Sequence, residues 1–175
     1  MKVWDAAVRG LHWVLAAGIA AAWLTSERWT RWHAPVGYGV LAVVGLRIIW
    51  GCVGSPYARF RQFVRSPADT ARYAAQWLRA REPRYLGHNP LGGWMALVLW
   101  ACVVGVGATG GLLNTDRFWG DEGMHSLHGA LAWMLLALIA VHLSGVIFAS
   151  VRHRENLVRA MFSGSKREAQ ESDVS

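Results

Sequence analysis

Four apolar blocks of membrane length constrain this chain more than any other feature. They run from about Leu11 to Leu24, from His33 to Cys52, from Leu91 to Leu113 and from about Met124 to Val151. A helix needs roughly 20 apolar residues to cross a bilayer, and each block is close to that. The first is short alone, but reaches span length if its helix starts near Val3 and carries Arg9 at the membrane surface. The second is interrupted only by Arg47, the third holds no charge, and the fourth holds two histidines and no other ionisable residue. Hydrophobic residues make up 54% of the chain and come in long runs rather than alternating, which favours a membrane protein over a soluble one. The fold expected is an all-α, four-helix transmembrane bundle over residues 1–165, with a polar tail at 166–175.

The flanks of the blocks agree with this. Eleven tryptophans is high usage for 175 residues, and Trp4, Trp29, Trp32, Trp50 and Trp119 lie where an interfacial aromatic belt would. Trp94, Trp100 and Trp133 suit core filling equally well. The net charge of +7 comes from residues beside the apolar blocks, so it reads as a topology signal or an anionic-lipid contact rather than a nucleic-acid surface. Cys52 and Cys102 lie in apolar segments and imply no disulfide framework. The absence of C-x-x-C-H excludes covalent c-type haem on motif grounds. The start Met1-Lys2-Val3-Trp4-Asp5 carries an acid and no small-residue cleavage site follows, so the first block is expected to stay as a helix.

A different segment separates the second and third blocks. Ser66-Pro67-Ala68-Asp69 predicts a helix start, with Ser as N-cap, Pro in the first helical position and an acid in the first turn. Thr70 to Arg81 interleaves Tyr73, Trp77 and Leu78 with Arg72, Arg79 and Arg81. That pattern predicts a short amphipathic helix on the membrane surface, or else a solvated connector. Glu168 to Ser175 is polar and expected to be disordered.

Charge asymmetry sets orientation. Fourteen Lys and Arg lie before the first helix, in Tyr57–Leu86 and in Val151–Ser175, against three (Arg28, Arg31, Arg117) in the other two connections. By the positive-inside rule both termini and the long middle connection are cytoplasmic.

Ionisable groups within hydrocarbon are costly, and each is a functional candidate. This topology sets His12 and His142 toward the cytoplasmic side and His33 and His128 toward the periplasmic side. Two imidazoles facing each other across a bundle are what a six-coordinate haem iron needs. His128 and His142 are fourteen residues apart, so on one helix they stand about 21 Å apart and roughly 40° around the axis, sharing a face. Arg47 follows His33 by the same interval, which sets it level with the inner pair, where a guanidinium could hold a haem propionate; snorkelling toward the headgroups is the plainer reading. Arg9, one turn before His12, is set for the same propionate role. A single membrane histidine is more often a helix–helix hydrogen-bond partner; four at two matched depths argue for ligation. His88, His125 and His153 are read as interfacial, although His125 would replace His128 if its helix began earlier.

These residues also carry a family resemblance. Trp4-Asp5 with Arg9-x-x-His12-Trp13, His33-x-x-x-Gly37, Arg47-x-x-Trp50-Gly51 and Gly54-Ser55-x-Tyr57-Ala58-Arg59-Phe60 resemble the bacterial cytochrome b561 and nickel–iron hydrogenase b-type cytochrome family. So do Arg84-Tyr85-Leu86-Gly87-His88-Asn89-Pro90-Leu91-Gly92-Gly93-Trp94 and the stretch from His128-Gly129 to His142-Leu143-x-Gly145-Val146. The resemblance implies a four-helix core, two non-covalent haems b, quinone-linked electron transfer, and ligands at His12, His33, His128 and His142. Pro35 departs from comfort: His33 must sit in the first turn of its helix, or the helix begins earlier and kinks. The chain shows no fifth helix of the hydrogenase type.

The reading is a dihaem cytochrome b passing electrons between the quinone pool and a periplasmic c-type cytochrome or other redox protein. It contacts membrane lipid and no nucleic acid, and is compatible with a homodimer. A self-sufficient quinone-linked oxidoreductase, oxidising superoxide for example, is the first rival. A small non-haem transporter using the same histidines is the second.

Overall fold

The computed structural model describes residues 1–174; Ser175, the last residue of the polar tail, lies outside them. The protein is an all-α membrane helical bundle. Four helices are long and apolar enough to cross a membrane: α1 (Ala6–Thr25), α2 (Thr30–Val53), α5 (Pro90–Leu113) and α6 (Glu122–Arg152). Between α2 and α5 lie the short α3 (Phe60–Phe63) and α4 (Pro67–Leu78), and α7 (Leu157–Ser163) follows α6. The chain divides into two compact units, and α1, α2, α5 and α6 each contribute to both.

One unit comprises Gly10–Ile48 and Val98–Ala140. Its core is Val40, Val44, Cys102, Val103 and Leu135, with Leu15, Ile19 and Leu138 packed on it. Val14, Leu24, Leu46 and Trp133 are exposed. In water that exposure would be costly, whereas lipid is as apolar as the side chains themselves. Buried hydroxyls are satisfied within their own helices: Thr25 Oγ1 donates to Ala21 O (2.7 Å), and Thr109 Oγ1 bonds Gly105 O and Val106 O, both at 2.9 Å. The second helix begins at Thr30, three residues before His33, and takes Pro35 inside it. His33 is the fourth residue of the helix and so stands in its first turn, the first of the two arrangements that Pro35 left open.

The other unit comprises Met1–Arg9, Ile49–Leu97 and Val141–Ser175. Its core is Val3, Trp4, Val8, Ala58 and Ala160, against Trp50, Tyr57 and Met161. Asp5 organises the start of α1. Its carboxylate accepts from Val8 N (2.7 Å), Trp50 Nε1 (3.1 Å) and Ser55 Oγ. Burial alone would raise its pKa, but these hydrogen bonds hold the carboxyl below its ordinary value. Ser66 caps α4 as its sequence predicts, with Oγ accepting from Asp69 N at 3.1 Å, and Pro67 opens the helix. Tyr73 on α4 is buried against Tyr85, and burial pushes its hydroxyl up to about 12.

Three expectations change here. Trp4 is not at an exposed interface but 7% exposed within the core of this unit, because Val3 N and Trp4 N both donate to Gly164 O (2.9 and 3.1 Å) and draw the N-terminus onto the α7 end. His88 is likewise not exposed to an interface: its ring packs against Trp4 and Phe63, each with centroids 4.9 Å apart. The polar tail is ordered through residue 174. Val174 N donates to Arg84 O and Leu86 N to Val174 O, both at 2.9 Å, while Arg84 pairs with Asp173 and with Glu155 (2.7 Å). Composition predicts disorder for such a segment, but a buried guanidinium requires carboxylate partners, and the tail supplies one.

Gly164 is where a glycine is required. It takes φ +79 as the C-cap of α7, and a Cβ there would lie 2.6 Å from Trp4 O.

Candidate functional site

The unit containing most of α1 and α2 brings His33 and His128 together. Their ring centroids are 6.0 Å apart and their planes stand at 89°. Each ring is fixed through the same nitrogen. His33 Nδ1 donates to Ala22 O at 2.8 Å, and His128 Nδ1 donates to Val106 O at 3.0 Å, with Thr109 Oγ1 at 3.1 Å. A carbonyl oxygen only accepts, so each Nδ1 carries the proton and Nε2 is left as the basic nitrogen. Pinning one ring nitrogen to a backbone carbonyl is how a metal-ligating imidazole is oriented and made more basic. Two metal–imidazole bonds of roughly 2 Å, with the radius of each ring added, come to about 6 Å between centroids, the separation found. The spacing of the two rings therefore matches what an iron held between them would need.

Local sequence makes this fit. Gly110 on α5 lies beside His128, where a Cβ would approach Cε1 to 3.0 Å and Nδ1 to 3.4 Å. The missing side chain gives the ring its room. Nothing in the spacing of the histidines announced the three carbonyl and hydroxyl partners, since Ala22, Val106 and Thr109 are unremarkable residues that fold alone brings to the rings. His125 is exposed, and its Nδ1 bonds Asp121 O of its own helix at 3.0 Å. The helix does begin earlier than expected, at Glu122, yet His128 is the residue that meets His33.

The remaining candidates fall as follows. His12 is half-buried in the same unit, edge-on to Trp13 with centroids 5.2 Å apart. Arg47, also in this unit, is only 5% exposed and sits over the Trp100 ring at 4.9 Å. A guanidinium so enclosed is not extended into headgroups, and the indole face offsets part of its burial. His142 belongs to the other unit, half-buried, with no hydrogen-bond partner among the described residues for either ring nitrogen. Arg9 belongs there too. Its Nη1 donates to Phe162 O at the end of α7, while its buried Nε has no hydrogen-bond partner among the described residues. The Arg9 Nε is a buried polar group for which an added ligand would supply the missing partner.

Imidazoles presented in pairs by apolar helices are the ligand supply of membrane cytochromes b, and this is the class that the fold and the His33–His128 pair define. The chain belongs to the prokaryotic cytochrome b561 family, whose model matches residues 3–164. Comparison with curated proteins and with solved structures returned no match. The protein is thus a bacterial membrane cytochrome of the b type, which binds haem b and works in electron transfer.

Proposed function

We propose that this protein is a dihaem cytochrome of the bacterial inner membrane, carrying electrons between the quinone pool and a periplasmic redox protein such as a c-type cytochrome. The observation that carries the reading is the His33–His128 pair, perpendicular, 6.0 Å apart and fixed through Nδ1 on both sides. His12 and His142 are the second ligand pair, with Arg47 and Arg9 as propionate partners. Support for a second site comes from the half-buried His142 and the orphaned Arg9 Nε. The helix α6 runs unbroken from Glu122 to Arg152, so the fourteen-residue interval between its histidines holds along a single axis. Each haem, when bound, supplies one-electron ferric–ferrous chemistry.

The protein's own residues fix what that chemistry can do. The carbonyls of Ala22 and Val106 hold the outer imidazoles in one tautomer. Apolar helix faces keep water from the ligand level. Orientation follows from the fourteen-to-three distribution of Lys and Arg, which puts both termini on the cytoplasmic side.

The deciding experiment is a pyridine haemochrome assay on purified protein, with reduced-minus-oxidised spectra. Two non-covalent haems b per chain, reducible by a quinol, are expected. One haem, or none, refutes the dihaem reading.

A further inference from the structure

None of the proposed haem residues lines a cavity of about 470 Å³ in the unit containing both termini. Arg154, Arg159 and Arg167 line it, with Asn156, Ser163 and Ser165 between them. All three arginines are exposed, and none of their guanidinium groups has an ion-pair or hydrogen-bond partner among the described residues. The one acid on the wall, Glu155, is already engaged. Its two oxygens receive Arg84 Nη2 (2.7 Å) and Nε (3.3 Å), and Oε1 also accepts from Arg167 N at 2.7 Å. Lys166 adds a further cation from within, its Nζ held to Gly87 O at 3.3 Å and Tyr85 O at 3.4 Å. The cavity is therefore a site of uncompensated positive charge lined with hydroxyls.

A second observation indicates what such a site holds. The helix α7, which lines it, begins five residues after the end of the spanning helix α6. It buries Ala160 but exposes Val158 (48%) and Phe162 (60%), which lie four residues apart on one face. Apolar side chains displayed beside guanidinium groups at the end of a membrane span are the pattern of an interfacial helix.

We propose that this cavity receives the phosphodiester headgroup of an anionic phospholipid, with Val158 and Phe162 against its acyl chains. Guanidinium forks match phosphate oxygens in bidentate geometry, and three lining one cavity favour an anion over a zwitterion. The exposed apolar pair favours a lipid over free phosphate, which would have no use for it.

The test uses the full-length haem-loaded protein in neutral detergent. Thermal stability is followed while phosphatidylglycerol, phosphatidylcholine or inorganic phosphate is titrated in. Phosphatidylglycerol should raise the melting temperature at much lower concentration than phosphatidylcholine, and inorganic phosphate should have no matching effect. The triple variant Arg154→Gln/Arg159→Gln/Arg167→Gln should weaken the response to phosphatidylglycerol by on the order of 100-fold. The haem spectrum of that variant reports whether it has folded. Val158→Ser/Phe162→Ser, read in the same titration, serves if it has not, and should also weaken the response. Equal responses to both lipids, or an unchanged response in a folded variant, would overturn the proposal. A response reproduced by inorganic phosphate would overturn the lipid assignment.

Discussion

His33 and His128 meet with their ring planes at 89° and their centroids 6.0 Å apart, each committed through Nδ1 to a backbone carbonyl of the same unit. The hydrogen bonds set the tautomer before any metal arrives, so the site is organised by the polypeptide itself. His128→Ala and His33→Ala should each remove one and the same spectral component and lower the haem count from two to one. His142→Ala should remove the other. Spectra in which His33→Ala and His142→Ala abolish a common component would refute this pairing.

Gly110 tests the packing around that ligand. A methyl group there lies 3.0 Å from His128 Cε1, so Gly110→Ala forces the ring to give by a few tenths of an ångström. Overpacking of this kind costs about 1–3 kcal/mol. The outer haem should bind more weakly, with an altered low-spin resonance spectrum, while the other component is unchanged. An unaltered spectrum would show that the ring has slack.

Arg47 bears on potential rather than occupancy. A cation beside a haem disfavours the more positive oxidised form, so Arg47→Leu should keep both haems and lower the midpoint potential of the component that His142→Ala removes. The lost contact with Trp100 at 4.9 Å should also cost about 1 kcal/mol of stability. A redox titration without any shift would confine Arg47 to that packing role.

The Arg84 cluster predicts acid sensitivity. Burial would raise the pKa of Glu155 and of Asp173, but hydrogen bonds and the Arg84 charge lower both below the ordinary carboxylate range. A depressed carboxylate stabilises the fold above its unfolded pKa, and that contribution is lost as pH falls through the folded value. Docking of the tail should therefore persist at neutral pH and fail only below the usual carboxylate range, as limited proteolysis across a pH series would reveal. Arg84→Gln leaves the side chains of Glu155 and Asp173, 7% and 3% exposed, without their partner. It should cost on the order of 3 kcal/mol and move tail release to higher pH. A variant whose tail resists protease as well as the parent would contradict this.

The connection before α6 offers the proposed surface for a soluble partner. Trp119 is 81% exposed, and Asp116, Asp121 and Glu122 are exposed around it. Asp121 also caps α6, with Oδ1 accepting from Met124 N at 2.7 Å, so the variant of choice is Asp121→Asn/Glu122→Gln, which keeps an accepting oxygen. Electron exchange with a basic periplasmic protein should slow several-fold at low ionic strength, and the difference should fade with salt. Stopped-flow rates indifferent to both would point to exchange within the bilayer.

The four long apolar helices and the cap at Ser66 were legible in the sequence, because hydropathy, the 3.6-residue repeat and capping chemistry are local properties of a few consecutive residues. The start of α2 was not: Pro35 permitted two arrangements, and the helix begins at Thr30 with His33 in its first turn. Arg9 illustrates the same limit. Its spacing from His12 fixed the turn on which it stands, but its bond to Phe162 O joins residues 153 positions apart, which no local pattern encodes. The partners of Asp5 and Arg84, the burial of Trp4 and the docking of the polar tail are of this kind. Each is a polar or aromatic group whose cost of burial is met by whatever the fold brings alongside. The sequence by itself determined which four stretches form helices long and apolar enough to cross a membrane, and which imidazoles those helices carry. Which nitrogen His33 and His128 each hold free was decided only by tertiary structure, through the carbonyls of Ala22 and Val106.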